Sequence, residues 1–110
     1  MNYLTVPTIE AGTILRRTER AVHGDLPEET VLLDVDAGIA VRLNPAGAWI
    51  WEQLEEPRRV DELARGMAAR FEIDEARALG DVVAFAREMT RRQLLAADGA
   101  GPSEARAQGT

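Results

Sequence analysis

Two carboxylates, Asp34 and Asp36, stand two positions apart at the end of an apolar run, residues 31–35, that reads as a strand. On a strand, residues i and i+2 share a face, so the pair could serve as a general acid and base. The plainer reading is a solvated strand end before a turn, because nothing adjacent in the sequence would raise a pKa. Other reactive types are scarce. The chain has one histidine, His23, in a polar stretch; one tyrosine, Tyr3; and one serine, Ser103. It has no lysine and no cysteine. Covalent catalysis by Ser, Cys or Lys therefore lacks a placed candidate, and no His/Cys cluster has metal-ligand spacing. Glu52, Glu55 and Glu56 read as a solvated helix end. Gly99-Ala100-Gly101 has no strand before it and no helix after it, unlike a phosphate loop. By elimination the residues point to a binding module and not an enzyme, with no metal and no cofactor.

Composition sets the frame for that module. A chain of 110 residues with 45% hydrophobic content is one domain with a single modest core. The net charge of −6 argues against a nucleic-acid partner, whose affinity would come mostly from phosphate neutralisation. No apolar run is long enough to cross a membrane. Residues 1–11 lack the basic start and apolar block of a signal peptide. The absence of cysteine fits a reducing cytoplasm.

The elements that must position any site follow from periodicity and caps. Residues 1–12 read as a flexible arm, and 13–21 as a poorly alternating strand. His23 to Glu29 reads as a polar turn. Residues 30–35 and 39–43 form a hairpin around Asp36-Ala37-Gly38, with Ile39, Val41 and Leu43 alternating. Asn44 stands where an N-cap belongs, with Pro45 at the first helical position, so the second hairpin strand runs straight into a helix. That helix spans residues 45–54 with Gly47, Ile50, Trp51 and Leu54 on its core face. A second spans 60–71 with Val60, Leu63, Ala64, Met67 and Ala68 inward. A third follows the cap Asp74 to about 92, with Leu79, Val82, Val83, Ala86 and Met89 as its stripe. Gly66 and Gly80 lie inside helices, each costing ~1 kcal/mol against alanine, which close packing would explain. Trp49 and Trp51 lie about 200° apart around one helix, so Trp51 is core. Trp49 then either covers neighbouring side chains or offers a protein contact. Residues 13–95 thus form an α+β domain: a small antiparallel three-stranded sheet packed on a three-helix, winged-helix-like bundle. Residues 96–110, rich in Gly, Ala and polar types, read as a disordered tail.

The series Leu32-Leu33-Asp34, Gly38, Leu43-Asn44, Gly47-Ala48, Ile50-Trp51 and Leu54 resembles the PqqD family. So do Val60-Asp61-Glu62-Leu63, Ala69-Arg70-Phe71, Asp81-Val82, Phe85 and Leu94-Leu95. The Leu-Leu-Asp start and the Ile-Trp pair most resemble the lasso-peptide branch. The resemblance implies an element that binds the leader segment of a ribosomally made precursor peptide and presents it to a maturation enzyme. In the lasso branch that enzyme is a cysteine leader peptidase; in the pyrroloquinoline quinone branch it is a radical SAM enzyme. Three positions depart from the family pattern. Ala46 stands for a usual Thr, Gln93 for a usual helix-ending Gly, and Arg59 for a usual capping Thr or Ser.

The resemblance also implies a site. The second hairpin strand, Ile39, Ala40, Val41, Arg42 and Leu43, is the edge to which a leader strand adds by β-augmentation. Ala78, Asp81, Val82 and Phe85 on the third helix wall the groove beside it; core packing is the competing role for Val82 and Phe85. The same edge could pair with itself, so the chain is expected as a monomer or weak dimer. Tyr3, Pro7, Ile9 and Gly12 resemble the Tyr, Pro, Leu and Gly pattern of lasso leaders, which would let the arm enter its own groove. The competing function is a winged-helix DNA-binding protein that reads with Arg77, Arg87, Arg91 and Arg92 of the third helix. Asp74, Glu75, Asp81 and Glu88 offset those cations in number.

Overall fold

Capping chemistry fixes where the helices begin. The Asn44 side chain accepts from the Gly47 N–H at 2.7 Å, and the Asp74 side chain accepts from Ala76 and Arg77 at 2.8 and 3.1 Å. The computed structural model describes residues 8–26 and 29–98. In chain order these form β1 (Ile14–Arg17), β2 (Ala21–Leu26), β3 (Glu29–Asp34), β4 (Ile39–Leu43) and α1 (Pro45–Gln53). Then come β5 (Arg58–Arg59), α2 (Val60–Phe71), α3 (Glu75–Arg91) and β6 (Leu95–Asp98). The α+β class and the three helices stand as expected.

The sheet differs from expectation. There are two antiparallel three-stranded sheets, ordered β2-β3-β4 and β5-β1-β6. β1 leaves the hairpin and pairs with β6 over four positions, from Ile14–Asp98 to Arg17–Leu95. The place beside β3 is taken by β2, in the stretch expected to be a polar turn, with His23 opposite Leu32. Pairing with β3 supplies the order that local composition does not. Asp98 closes a strand, so the boundary expected after residue 95 falls too early; residues 99–110 lie outside the described residues.

The arm is also corrected where it is described. Ile9 is buried in the core, and Thr13 is buried with it. The Ala11 and Thr13 carbonyls accept from the Asp61 and Val60 N–H groups, each at 2.9 Å. These are the first donors of α2, which have no partner inside the helix. The backbone of the arm thus does what a Thr or Ser in place of Arg59 would do. Arg59 adds its own N–H to the Glu62 carboxylate at 3.1 Å, half of a capping box. Because Ile9 is core, it is not available to the groove; Tyr3 and Pro7 lie outside the described residues.

One core joins the layers. Leu15 from β1, Leu32 from β3, and Ile50, Trp51 and Leu54 near α1 meet Val60, Leu63, Ala64 and Met67 of α2. The contact face of α3 is Ala78, Val82, Ala86 and Met89, all buried. Leu79 and Val83 only flank it. Alanines at that seam let α2 and α3 approach closely, so the bulkier residues stand aside. α3 ends in a Schellman motif. Leu94 donates to the Met89 carbonyl and Gln93 to the Thr90 carbonyl, both at 2.9 Å, with Gln93 at φ 64°. The family's glycine position is therefore left-handed here as well, but carries a side chain.

Candidate functional site

The acid pair resolves into a structural role. β3 ends at Asp34, and Asp36 sits in the following turn with its side chain 68% exposed. Asp34 is buried, not solvated. Its carboxylate accepts from Arg20 Nε at 2.9 Å and from the Ala37 N–H at 3.1 Å. Its carbonyl accepts from Gly38, whose φ of 71° closes the turn. Burial pushes the Asp34 carboxyl up, but hydrogen bonds from Ala37 and Arg20 outweigh it and hold the group below its ordinary value. Such a carboxylate fixes the hairpin and is a poor base. Among the described residues, no group of three or more His, Cys, Asp or Glu could hold a metal ion.

What the hairpin holds in place is β4. It pairs with β3 in the register Thr30–Leu43, Val31–Arg42, Leu32–Val41, Leu33–Ala40 and Asp34–Ile39. It is the last strand of its sheet, so among the described residues its other edge carries no strand. Such an edge presents unpaired N–H and C=O groups in a row. Val41 lies opposite buried Leu32 and so faces inward, whereas Ala40 and Arg42 face outward.

Beside this edge runs a groove of about 720 Å³. β4 contributes Val41, Arg42 and Leu43, and the start of α1 contributes Asn44, Ala46, Gly47 and Ile50. Met67 of α2 and Met89 of α3 complete the apolar floor. The far wall is one stripe of α3: Arg77, Asp81, Ala84, Phe85 and Glu88, followed by Arg92. Asp81 has Arg77 at 3.9 Å, with both side chains largely exposed. Glu88 accepts from Arg91 and from Arg92 Nε, the latter at 2.7 Å. Those two hydrogen bonds, Arg91's first, hold its carboxyl below the ordinary value. Arg42 reaches Glu29 at 3.3 Å while its own side chain is 80% exposed. The site is therefore an apolar trough with a backbone edge on one side and a mixed-charge helix face on the other.

Of the residues singled out from sequence, Val41, Arg42, Leu43, Asp81 and Phe85 line this groove. Ile39 and Ala40 lie on the same edge but not in the groove lining. Ala78 and Val82 do not belong to it: both are 0% exposed and pack in the core. One residue is 100° of helix rotation, so a wall read a single step off turns into the core. The missed residues had a signal. Arg77, Ala84, Glu88 and Arg92 fall into one series with Asp81 at spacings of three and four, the mark of one helix face.

Residues 29–95 match the family model described as Coenzyme PQQ synthesis protein D (PqqD). The chain belongs to the PqqD family. Three solved structures share this PqqD fold. One, described as TbiB1 in complex with the TbiA(beta) leader peptide, is 28% identical with a TM-score of 0.66. The match covers 73% of this chain and 93% of that one. A lasso peptide synthetase B1 complexed with the leader peptide is 20% identical, with a TM-score of 0.68 over 74% of this chain and 96% of the other. The PqqD truncation of Methylobacterium extorquens PqqCD, described as a stand-alone recognition element for ribosomally synthesised and modified peptides, is 13% identical. Its TM-score is 0.67 over 81% of this chain and 95% of that one. Among curated proteins no match is found.

Proposed function

We propose that this chain binds the leader segment of a ribosomally synthesised precursor peptide as an added strand on β4, and presents it to a maturation enzyme. The observation that carries the reading is the juxtaposition of an unpaired β4 edge with the apolar groove under α3. Main-chain bonds along the edge give affinity, and side chains of alternate leader residues enter the groove. The likeness to TbiB1, itself in complex with a leader peptide, supports this reading. The Leu-Leu-Asp start and the Ile-Trp pair, which resemble the lasso-peptide branch, favour a cysteine leader peptidase as partner. The domain acts in the cytoplasm, without catalysis of its own. Among the described residues no helix is long and apolar enough to cross a membrane.

Among the described residues, three of the four cations of the DNA-binding alternative are ion-paired, Arg87 being the exception. On α3, Arg77 faces Asp81, and both Arg91 and Arg92 engage Glu88. A helix with most of its cations ion-paired, on a chain of net charge −6, makes a weak phosphate ligand.

The test is a titration of the chain with fluorescently labelled TbiA(beta) leader peptide, alongside a displayed library of random 15-residue peptides. Saturable binding by a leader-like sequence, lost on scrambling, is the expected result. No binder from either source would show that the assignment is wrong.

A further inference from the structure

Small residues shape the apolar end of the groove. Ala46 and Gly47 line it from α1, and Ala84 and the half-buried ring of Phe85 line it from α3. A Cβ on Gly47 would lie 3.1 Å from Phe85 Cε1 and 3.4 Å from Cδ1. With no Cβ there, the ring rests directly on the first turn of α1. A Cβ at 47 presses on the ring, and at 3.2 Å on Asn44 Oδ1 as well, so the ring must shift away from α1 by a few tenths of an ångström. Ala84 is exposed, so the opposite wall also carries no bulk.

We propose that Gly47 is a specificity-determining residue: by letting Phe85 lie against α1, it leaves room for one large apolar side chain of the bound strand. This rests on the strand-addition reading above and names the strand it selects. The ligand is an extended peptide with an aromatic or leucine-sized residue at the position seated against Phe85. Small residues at that position leave the groove beside Phe85 partly unfilled, and packing contacts are forfeited. The aromatic ring further favours an edge or offset contact from an aromatic partner.

The experiment starts from a peptide selected against the parent chain out of the random 15-residue library. Its large apolar residues are replaced one at a time by alanine, and dissociation constants are measured by fluorescence anisotropy. At one position the parent is expected to prefer the large residue by roughly tenfold or more, equivalent to ~1.4 kcal/mol. Gly47→Ala is expected to reduce that ratio severalfold by weakening the large-residue peptide while leaving its alanine version nearly unchanged. Ala84→Leu fills the same space from an exposed helix position and is expected to do likewise, whatever Gly47→Ala does to folding. Circular dichroism confirms that each variant compared is folded. A folded Gly47→Ala chain, or an Ala84→Leu chain, that keeps the parent's ratio overturns the proposal while strand addition stands. Absence of any selected binder overturns both.

Discussion

Trp49 on α1 lies so close to Gly66 on α2 that a Cβ at Gly66 would stand 3.0 Å from the indole Cη2 and 3.3 Å from Cζ2. The ring also meets Phe71 edge-on, with centroids 6.2 Å apart. Of its two possible roles, Trp49 therefore takes that of a cover over neighbouring side chains. Phe85 of α3 rests on Gly47 in the same fashion. Two ring-on-glycine contacts thus seat α1 against α2 and against the groove face of α3, and α1 forms one side of the groove.

Gly66 and Gly80 consequently part company. Gly66→Ala gains helix propensity of ~1 kcal/mol but must displace the indole, and overpacking costs about 1–3 kcal/mol. A net loss of about 1 kcal/mol is expected. Nothing lies within 4 Å of a Cβ at Gly80, so close packing does not account for it. Gly80→Ala is expected to gain ~0.5–1 kcal/mol, seen as a rise of several degrees in melting temperature. Melts of the two single variants check the opposite signs.

Gln93→Gly is expected to stabilise the domain. Gln93 holds φ 64° at the end of α3, where a residue with a Cβ bears a cost of ~1–2 kcal/mol. The change forfeits an exposed hydrogen bond from Arg20 Nη1 to Gln93 Oε1. The net gain is about 0.5–1 kcal/mol after glycine's extra chain entropy. Urea titration measures it.

Asp34 gives the hairpin an acid limit. Its carboxyl is held below the ordinary value of 3.8. A group depressed in the folded state contributes stability that is present above its unfolded pKa and is lost as pH falls through its folded pKa. Asp34→Asn should therefore melt below the parent at pH 7, and the gap should close as pH falls below about 4. A constant gap down to pH 2.5 would contradict the ion-paired, hydrogen-bonded role.

On β4, successive N–H groups point alternately to β3 and away from it. Of Ala40→Pro and Val41→Pro, the one whose N–H points outward should keep most of its melting temperature while weakening peptide binding by roughly tenfold or more. The other removes a β3–β4 ladder bond and should melt much earlier. Two well-folded variants that bind like the parent would place the strand elsewhere.

The sequence made some of these residues legible and concealed others for physical reasons. α2 was readable from end to end because Val60, Leu63, Ala64 and Met67 keep one helical face. Asn44 and Asp74 announced their helices because capping is local chemistry. β5 and β6 were not readable because they pair with β1 from far along the chain. β2 pairs with the next strand, but its polar composition gives His23 no strand signal until Leu32 is beside it. In the site, the edge strand was visible in the alternation of Ile39, Val41 and Leu43. On α3, Asp81 and Phe85 were legible as wall, but Ala78 and Val82 belong to the core, because Leu79 and Val83 outweigh Ala78 in hydrophobicity and draw the core stripe one step too far round. Close helix approach selects the small residues instead.

The central claim is that a peptide strand adds to β4. Amide hydrogen exchange of the chain, alone and saturated with a library-selected peptide, reads that bond by bond. The account predicts that alternate amides within Ile39–Leu43, open to solvent in the unbound chain, become protected by roughly tenfold or more, while β2 amides barely change. Saturating peptide with unchanged β4 exchange, and protection confined to another surface, would contradict it.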